Sequence, residues 1–566
     1  MPTLPPSSSL LLLLVVPLLF CFAAEAESLP SPSSSASAAC KYTLYPKLCR
    51  SILSTIGSSP SDPYNYGKFS INQCLKKARK VSKALDRPKR YSSMTNAEVN
   101  AFKDCQQLSE LNVDYLEAIG TELKSAELLN EELVGKVQTL LSGIVTNQQT
   151  CFDGLVVAKS SIVNSSTSPL SVAFSNTTQL YSVSLGLVTH SLARNLKKHK
   201  KRKGFVSHGH KIREPLETFI EGLRKGSSKR SRDERILDEM ESSGIIVYDA
   251  VIVSQHGSDN FTSIGAAIDS APNNTKPEDG YFVIYARKGR YKEYVVIPKY
   301  KKNIMLLGDG INKTIITGKH NFVDGWTTFN SSTFAVSGER FVAIDVTFKN
   351  TAGPEKHQAV AVRNNADFST FYRCSFEGYQ DTLYAHSLRQ FYKECDIYGT
   401  VDFIFGNAAA VFQSCNLYAR KPMPNQKNAF TAQGRTDPNQ NTGISIHNCT
   451  IEAAPDLAMD LNSTLNFLGR PWKVYSRTVI MQSYIGPLIS SVGWLEWNGT
   501  VGLDTLYYGE FENHGPGANT SSRVQWPGYS LMNATQALNF TVTNFTLGDT
   551  WLPYTDIPFF AGLIGN

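Results

Sequence analysis

Two aspartates stand in apolar, aromatic surroundings in the second half of the sequence. Asp381 lies in the segment GYQDTLYAHS (378–387), and Asp402 lies in the similar segment GTVDFIFGN (399–407) that follows shortly after it. A hydrophobic segment tolerates a carboxylate only when the charge is paired, hydrogen-bonded or used in a reaction. The recurrence of an aspartate in two similar segments therefore predicts a functional site.

Carboxamides at a related spacing extend this candidate site. Gln358, Gln380 and Asp402 follow one another at equal intervals along the chain. Amide donors suit a developing oxyanion, and two carboxylates in different surroundings can be kept one ionised and one protonated. Arg470 could hold one carboxylate charged, and Trp472 beside it could stack on a sugar ring. Together these residues predict acyl-transfer chemistry.

Other hydrolase signatures are missing from the sequence. It contains neither a G-x-S-x-G nucleophile elbow nor an H-E-x-x-H zinc motif. His386, in YAHSLR, is the tempting general base, but a lone histidine in an aromatic strand is more often structural. We therefore expect a site built on carboxylates and amides, without a metal or cofactor.

Short strands must position these residues. From residue 245 onward, β-branched and aromatic runs alternate with Gly, Asn and Asp. Similar phrases open at Phe371, Phe391 and Phe412, and the cysteines within them recur at a nearly constant interval. A short, regular repeat built from strands and turns predicts the stacked coils of a parallel β-helix. A sandwich or a propeller is the alternative, but sandwich strands would not recur at so constant an interval.

If the coils stack, the spacing of the candidate residues in the sequence predicts which of them lie next to each other. Residues one coil apart lie about 4.8 Å from each other, so we expect Gln358, Gln380 and Asp402 to form a column on one face. Asp381 would lie beside it. Alternation along a strand would turn Gln380 and Asp381 to opposite faces, so a bulge or a strand end is expected near them.

The repeated cysteines are expected to meet in the stack. Cys395–Cys415 is the favoured disulfide, Cys374–Cys395 is a geometrically similar alternative, and Cys449 is expected to be free.

The region before residue 190 predicts helices instead. Leu133, Val137, Leu140, Leu141 and Ile144 recur at helical spacing, and residues 96–119 show a similar pattern. From about 40 to 190 we expect a small antiparallel helix bundle.

Five cysteines in this helical region suit an oxidising compartment. Cys40–Cys49 would close a local hairpin, and Cys105–Cys151 would join two long helices. Cys74 is then left as a buried free thiol.

The N-terminus carries an apolar run, SLLLLLVVPLLFCFAAEAES, that ends in small residues. We interpret it as a secretory signal peptide cut near Ala26, with a membrane anchor as the alternative. Thirteen Asn-x-Ser/Thr sequons fit an extracellular, glycosylated protein.

The net positive charge of the chain comes from the residues before 245. Residues 245–566 hold 25 basic and 27 acidic side chains, although the whole chain carries a formal charge of +7. Basic clusters between 196 and 239, such as KKRK and SKRSR, predict a protease-sensitive joint, with a plain linker as the alternative. We expect no nucleic-acid partner.

Five phrases in order resemble the plant pectinesterase family, over about 245–560. They are GRYKEYV (289–295), QAVAVR (358–363), YQDTLY (379–384), GTVDFIFGN (399–407) and LGRPW (468–472). The resemblance implies a right-handed parallel β-helix that hydrolyses the methyl esters of homogalacturonan and releases methanol, in the plant cell wall.

Carried over by position, the resemblance implies a role for each candidate residue. Asp402 would be the nucleophile, and Asp381 would protonate methanol and then activate water. Gln380 would stabilise the transition state, with Gln358 assisting. The positions expected to bind substrate are Thr328, Gln358, Arg470 and Trp472.

The helical region is similar to the pectinesterase-inhibitor domain through ACKYTLYPKLC, DCQQLSELNVDYL and TNQQTCFDGL. The resemblance implies a four-helix bundle that acts as an autoinhibitory or targeting pro-region. The Arg-Arg-Leu-Leu type of processing motif is absent, and SKRSRDERILDE stands in its place. We divide the chain into a signal peptide (1–26), a bundle (39–192), a basic processing region (193–244) and a β-helix domain (245–566).

The expected partners are methyl-esterified homogalacturonan, a protease that cuts the basic region, and separate pectinesterase-inhibitor proteins. We expect a secreted monomer. Two rival functions remain open: another β-helix pectin enzyme, a polygalacturonase or a lyase, and a non-catalytic wall-binding or inhibitor protein. A lyase would usually need a Ca²⁺-binding cluster of aspartates, which the sequence does not display.

Overall fold

The computed structural model describes residues 36–56, 63–86, 94–125, 130–160, 169–199, 245–257 and 259–565. The predicted signal peptide and nearly all of the basic processing region lie outside the described residues. Within the described ranges, no helix combines the length and the apolarity needed to cross a bilayer.

Four long helices, preceded by two short ones, form the N-terminal bundle. The helices are α1 (Ala36–Cys40), α2 (Pro46–Leu53), α3 (Pro63–Leu85), α4 (Asn96–Ser125), α5 (Glu131–Val157) and α6 (Pro169–His199). Helix α5 begins after Asn130, whose side chain accepts the backbone N–H of Leu133 at 2.7 Å. Its apolar face packs on α4 and α6 and shares one hydrophobic cluster with α3, as the helical spacing predicts.

The cysteine pairing predicted for the bundle is confirmed. Cys40–Cys49 and Cys105–Cys151 are disulfides, with Cα–Cα distances of 5.6 and 4.6 Å. Cys74 is a buried free thiol whose Sγ lies 3.1 Å from the hydroxyl of Ser184. Burial raises the pKa of Cys74 to about 12, so its thiol stays protonated.

Three parallel sheets form the right-handed β-helix. The first contains β1 (Val247–Val253), β2 (Tyr281–Ala286), β5 (Ile304–Gly308), β8 (Val342–Ile344), β11 (Ser369–Tyr372), β14 (Arg389–Lys393), β17 (Ala409–Gln413), β20 (Gly443–His447), β23 (Arg477–Met481), β25 (Tyr507–Phe511) and β26 (Tyr529–Leu531). The second contains β4 (Val295–Ile297), β7 (Phe334–Val336), β10 (Val362–Asn364), β13 (Leu383–Ala385), β16 (Ile404–Gly406), β19 (Asn428–Gln433) and β22 (Asn466–Gly469). The third contains β3 (Gly289–Tyr291), β6 (Thr314–Gly318), β9 (Thr347–Asn350), β12 (Ser375–Glu377), β15 (Asp396–Gly399), β18 (Asn416–Ala419), β21 (Thr450–Ala453) and β24 (Tyr484–Ile485).

One residue in the left-handed region of φ marks the corner between the first and third sheets. Its φ lies between 47° and 59° in seven coils. These corner residues are Asp345, Arg373, Glu394, Ser414, Asn448, Gln482 and Glu512. The corner recurs once in each of these coils, although the coils differ in length, and inward-facing phenylalanines and tyrosines fill the space between the sheets.

The disulfide predicted within the β-helix is wrong. Cys374, Cys395, Cys415 and Cys449 are all buried free thiols, each directly after a corner residue. The Sγ of Cys415 donates to the carbonyl of Tyr392 at 3.4 Å, and the other three make similar contacts. In-register stacking keeps the Cα–Cβ bonds parallel at the strand spacing of about 4.8 Å, whereas a disulfide needs Cβ atoms about 3.8 Å apart.

Small helices connect and close the coils. They are α7 (Ile264–Ser270), α8 (Pro455–Ala458), α9 (Ala534–Leu538) and α10 (Val542–Thr546). The segment after β26 covers the outer face of the first sheet with Phe540, Phe545, Trp551 and Ile557. That face would otherwise expose a long apolar surface.

Helix α5 carries two glycines that accept leucines from the β-helix domain. A Cβ on Gly143 would lie 2.8 Å from Cδ2 of Leu388, and one on Gly135 would lie 2.7 Å from Cδ1 of Leu547. A helix-interior glycine costs about 1 kcal/mol relative to alanine. A side chain at either position would collide with the leucine, so the close approach of the two domains explains why glycine stands there.

Candidate active site

Asp381 and Asp402 occupy equivalent turns of neighbouring coils. Both are in the left-handed region, with φ of 61° and 54°, and each lies two residues before the start of a strand of the second sheet. Strand β13 pairs with β16 with Leu383 opposite Ile404, and continuing this register places Asp381 opposite Asp402. The unusual φ is the backbone irregularity expected near residue 381, and it recurs in the next coil.

The predicted column of Gln358, Gln380 and Asp402 is therefore wrong in its register. The strands here pair at a period one position shorter than the interval between these three residues, so each is shifted by one position relative to the next. The backbone N–H of Ala359, not of Gln358, accordingly donates to the carbonyl of Gln380. The three residues still reach one cavity because they lie in the turns, where side chains do not alternate strictly.

A cavity of about 490 Å³ collects the candidate residues. It is lined by all seven of them: Thr328, Gln358, Gln380, Asp381, Asp402, Arg470 and Trp472. Residues from five different coils thus converge on one space, which is the usual form of a small-molecule or polymer-binding site.

Asp402 is held by Arg470 in a two-point ion pair. The Nε and Nη2 atoms of Arg470 each lie 2.7 Å from one carboxylate oxygen of Asp402. Burial raises the pKa of Asp402, and the guanidinium acts in the opposite direction. This fork geometry favours the ionised carboxylate and fixes its orientation.

Asp381 has a different electrostatic environment. Burial, followed by repulsion from Asp402, holds the pKa of Asp381 well above its usual range. Two neighbouring buried carboxylates do not ionise together, and the guanidinium hydrogen bonds of Arg470 go to Asp402. The two aspartates thus differ: the ion pair with Arg470 favours the ionised form of Asp402, whereas burial and repulsion favour the protonated form of Asp381.

His386 does not share this cavity. Its ring is fully buried, with edge contacts to Phe329 and Tyr384, and Nε2 lies 3.0 Å from the hydroxyl of Thr150 in α5. Burial lowers its pKa well below the usual range, so the ring is neutral. These contacts agree with the structural role expected for it.

Several lining residues were not predicted from the sequence. Trp497 is 40% exposed, and the guanidinium carbon of Arg470 lies 4.4 Å from its ring centroid. Phe405 and Tyr384 stack at 4.2 Å in the same wall. Trp497 stands alone in LEWNGT, so no repeat pointed to it.

The pectinesterase family model matches residues 250–549, and the model described as "Plant invertase/pectin methylesterase inhibitor" matches residues 34–187. The chain belongs to the pectinesterase family. It is therefore a carboxylic ester hydrolase by family, with an inhibitor-like domain before the β-helix.

Two relatives span nearly the whole pectinesterase chain. "Probable pectinesterase/pectinesterase inhibitor 25" of Arabidopsis thaliana is 64% identical over 94% of this chain and 87% of its own length. "Probable pectinesterase/pectinesterase inhibitor 47" of the same plant is 65% identical over 93% of this chain and 86% of its own.

A solved pectin methylesterase from carrot is similar to the β-helix. It is 52% identical, with a TM-score of 0.54, and the match covers 55% of this chain and 98% of the carrot chain. The carrot chain thus has almost no residues left for a counterpart of the bundle. A β-helix domain of this kind folds on its own.

In this pectinesterase, the bundle also lines the cavity. Asp104 of α4 and Asp153 of α5 are among its lining residues. Both oxygens of Asp153 approach the Nζ of Lys473, at 2.8 and 2.9 Å, and the amide of Asn330 donates to Asp104 at 2.5 Å. The bundle therefore lies over the candidate active site.

Proposed function

We propose that this pectinesterase hydrolyses methyl esters of homogalacturonan through Asp402 and Asp381. The observation that carries the proposal is the pairing of Arg470 with Asp402 beside Asp381, whose pKa is raised by burial and by repulsion from Asp402. An ionised carboxylate can attack an ester carbonyl, and a neutral carboxyl group can supply the proton that the leaving methoxide needs.

In the first step, a carboxylate oxygen of Asp402 forms a bond to C6 of the methyl ester. The bond from C6 to the methoxy oxygen breaks, and that oxygen leaves as methanol with the proton of Asp381. Gln358 and Gln380 line the cavity beside both aspartates and offer neutral N–H donors to the oxyanion.

In the second step, Asp381 is a carboxylate and accepts a proton from water. The resulting hydroxide adds to C6 of the acyl-enzyme, and the bond to Asp402 breaks. Asp402 leaves as a carboxylate and Asp381 keeps the proton taken from water, so both aspartates return to their first protonation states. The product is a galacturonic acid unit of the chain, which loses its proton to solvent and becomes galacturonate. Thr328, Arg470 and Trp472 are proposed to position the sugar in the cavity.

The test is methanol release from methyl-esterified pectin by the 245–566 part. We expect turnover by this part and none above background from Asp402→Ala. Retained methanol release in Asp402→Ala would overturn the assignment of the nucleophile. New reducing ends or unsaturated products from the unmodified part would instead support a polygalacturonase or a lyase.

We also propose that the bundle restrains activity by occupying the mouth of the cavity. Asp153, Thr150 and Gly154 of α5 and Ala97 and Asp104 of α4 supply part of the cavity wall. A pectin chain needs that space, so the docked bundle and the substrate exclude one another.

Glycine substitutions test this restraint without touching a catalytic residue. Gly143→Leu places a side chain where Leu388 packs, so we expect the bundle to release the β-helix and the full chain to gain activity. Gly120→Leu is the matched control, because a Cβ at Gly120 in α4 has no neighbour within 4 Å. Equal activities of the two variants would contradict the restraint.

Secretion and processing complete the proposal. The signal peptide directs the chain to the plant cell wall, and a protease cuts within 193–244 to free the β-helix domain. Separate inhibitor proteins would compete for the face that the bundle covers. N-terminal sequencing of active enzyme extracted from cell walls tests the cut: an intact bundle on fully active enzyme would contradict it.

A further inference from the structure

Three aromatic rings stack face to face beside the candidate active site. The ring centroids of Tyr294 and His320 are 3.4 Å apart, and those of His320 and Trp326 are 3.6 Å apart, with interplanar angles of 6° and 16°. Trp326 and Phe322, from the same loop, both line the cavity that holds Asp402. Tyr294, His320, Phe322 and Trp326 are called the aromatic rim below.

The aromatic rim is not part of a hydrophobic core. Tyr294 is 46% exposed, and Phe322 and Trp326 are each 37% exposed, even with the bundle in place. Large exposed apolar patches on soluble proteins mark binding surfaces. Continuity with the cavity at Phe322 and Trp326 indicates that this surface extends the same site.

Hydrogen bonds from buried groups hold the loop of the rim. The amide of Asn350 donates to the carbonyl of His320 at 2.9 Å, and Asn350 is almost fully buried. The backbone N–H of Phe322 donates to the carbonyl of Gln358, also at 2.9 Å. The rim is therefore tied directly to a residue proposed to stabilise the oxyanion, and it is preorganised for binding.

The charges around the rim do not compete with ring stacking. Asp324 is paired with Lys356 at 2.6 Å, and burial lowers the pKa of His320, so its ring is neutral at physiological pH. An aromatic face carries negative charge density, which disfavours a carboxylate and favours the C–H face of an uncharged sugar ring. Lys319 is the remaining charged residue of the loop.

We propose that the aromatic rim is an accessory subsite for methyl-esterified galacturonate units. A unit of the same pectin chain stacks on the rim while another unit presents its ester to Asp402. The rim thereby selects long, esterified stretches of pectin. This inference rests on the proposed function, because the polymer must enter the same cavity.

Calorimetric binding of a length series of methyl-esterified oligogalacturonates to the 245–566 part tests the subsite without turnover. Every protein in this assay carries Asp402→Ala, so the esters are not hydrolysed. The 245–566 part with that change alone is the reference, called unmodified here, and each further substitution is added to it. We expect Trp326→Ala to bind oligomers that reach the rim about two- to tenfold more weakly, and the shortest oligomers equally well. Trp326→Phe should recover most of the loss. Tyr554→Ala, which changes a 64% exposed tyrosine outside the cavity, should bind like the unmodified part.

Three results would overturn the subsite. The first is an unchanged affinity of Trp326→Ala for oligomers of every length, and the second is an equal loss of affinity at every length. The third is Trp326-dependent binding that is tighter for the de-esterified oligomers than for the esterified ones, because Lys319 would then attract their carboxylates. Thermal unfolding midpoints confirm that the variants are folded. Absence of methanol release from the part with native Asp402 would contradict the proposed function instead, and the binding series would still report on the rim.

Discussion

Two pairs of aspartates line the same cavity, one pair from each domain. Asp381 and Asp402 come from stacked turns of the β-helix, whereas Asp104 and Asp153 come from helices of the bundle. The β-helix pair has its arginine partner in its own domain. The polar partners of the bundle pair include Asn330 and Lys473, which belong to the other domain.

The comparison distinguishes the two aspartates that we propose react with the substrate from the two that bind the bundle to the β-helix domain. The ion pair of Asp402 with Arg470 lies within the β-helix and does not require the bundle. The electrostatics of Asp104 and Asp153 depend on contact between the domains. Substitutions in the first pair should therefore change turnover, and substitutions in the second should change only how often the cavity is covered.

Asp402→Asn should have the largest effect of all. The amide keeps the shape of the carboxylate but cannot act as a nucleophile, so methanol release by the 245–566 part should fall by about four orders of magnitude or more. Initial-rate methanol assays measure the change. A thermal unfolding midpoint near that of the unmodified part excludes misfolding, and a loss below tenfold would overturn the assignment of Asp402 as the nucleophile.

Asp381→Asn should lower the rate by about 10²- to 10⁴-fold, the range of a general acid–base group. The first step needs protonated Asp381, whose pKa is raised by burial and by Asp402. The rate of that step should fall as the pH rises through this pKa, and the variant should lack this decline. A pH series of kcat/KM compares the two, and an unchanged alkaline limb in Asp381→Asn would contradict the assignment.

The sequence predicted features that repeat along the chain or resemble a known phrase. The nearly constant recurrence of similar phrases implied stacked coils because each coil repeats the same corner, visible at Arg373 and Glu394. Helical spacing likewise implied the bundle. All seven candidate residues reach one cavity because the turns that carry them lie on one side of the stack.

Features without a repeat could not be predicted in this way. Gln358, Gln380 and Asp402 recur at equal intervals, which suggested a column. The hydrogen-bonded pairing of the strands instead places Asp381 opposite Asp402. Proximity of Cys395 and Cys415 suggested a disulfide, but nearness says nothing about the direction of the Cα–Cβ bonds. The docking of α5 joins segments that lie far apart in the chain, and Gly143 shows no sequence signal beyond its helical position.

Asp104→Asn should change the pH dependence of docking. Burial raises the pKa of Asp104 to about 7 in the docked chain, despite nearby Arg363 and the hydrogen bond from Asn330. A released carboxyl group would titrate near pH 4. Docking is then favoured below about pH 4, weakens as the pH rises from 4 to 7, and is weakest above 7.

The activity of the full chain divided by that of the 245–566 part reports this docking. The quotient cancels the intrinsic pH dependence of the chemistry and should rise between about pH 4 and 7. Asp104→Asn should flatten it. Glu117→Gln on the same helix is the control, because Glu117 is paired with Arg79 inside the bundle. A rise that persists in Asp104→Asn would assign the pH dependence to another group.

Asp153→Lys should have the smallest effect, because its ion pair with Lys473 is only partly buried. Pairs of this kind contribute about 0.2–1 kcal/mol, and reversing one charge adds repulsion, so we expect full-chain activity to rise by about two- to tenfold. The 245–566 part lacks Asp153 and provides the undocked limit. A full chain that combines Asp153→Lys with Lys473→Asp forms the ion pair again with its two charges exchanged. We expect this chain to be less active than the 245–566 part that carries Lys473→Asp, because the bundle is docked again. If the exchanged chain stayed as active as Asp153→Lys, the contact would be incidental, and the docking role of the bundle aspartates would reduce to Asp104 alone.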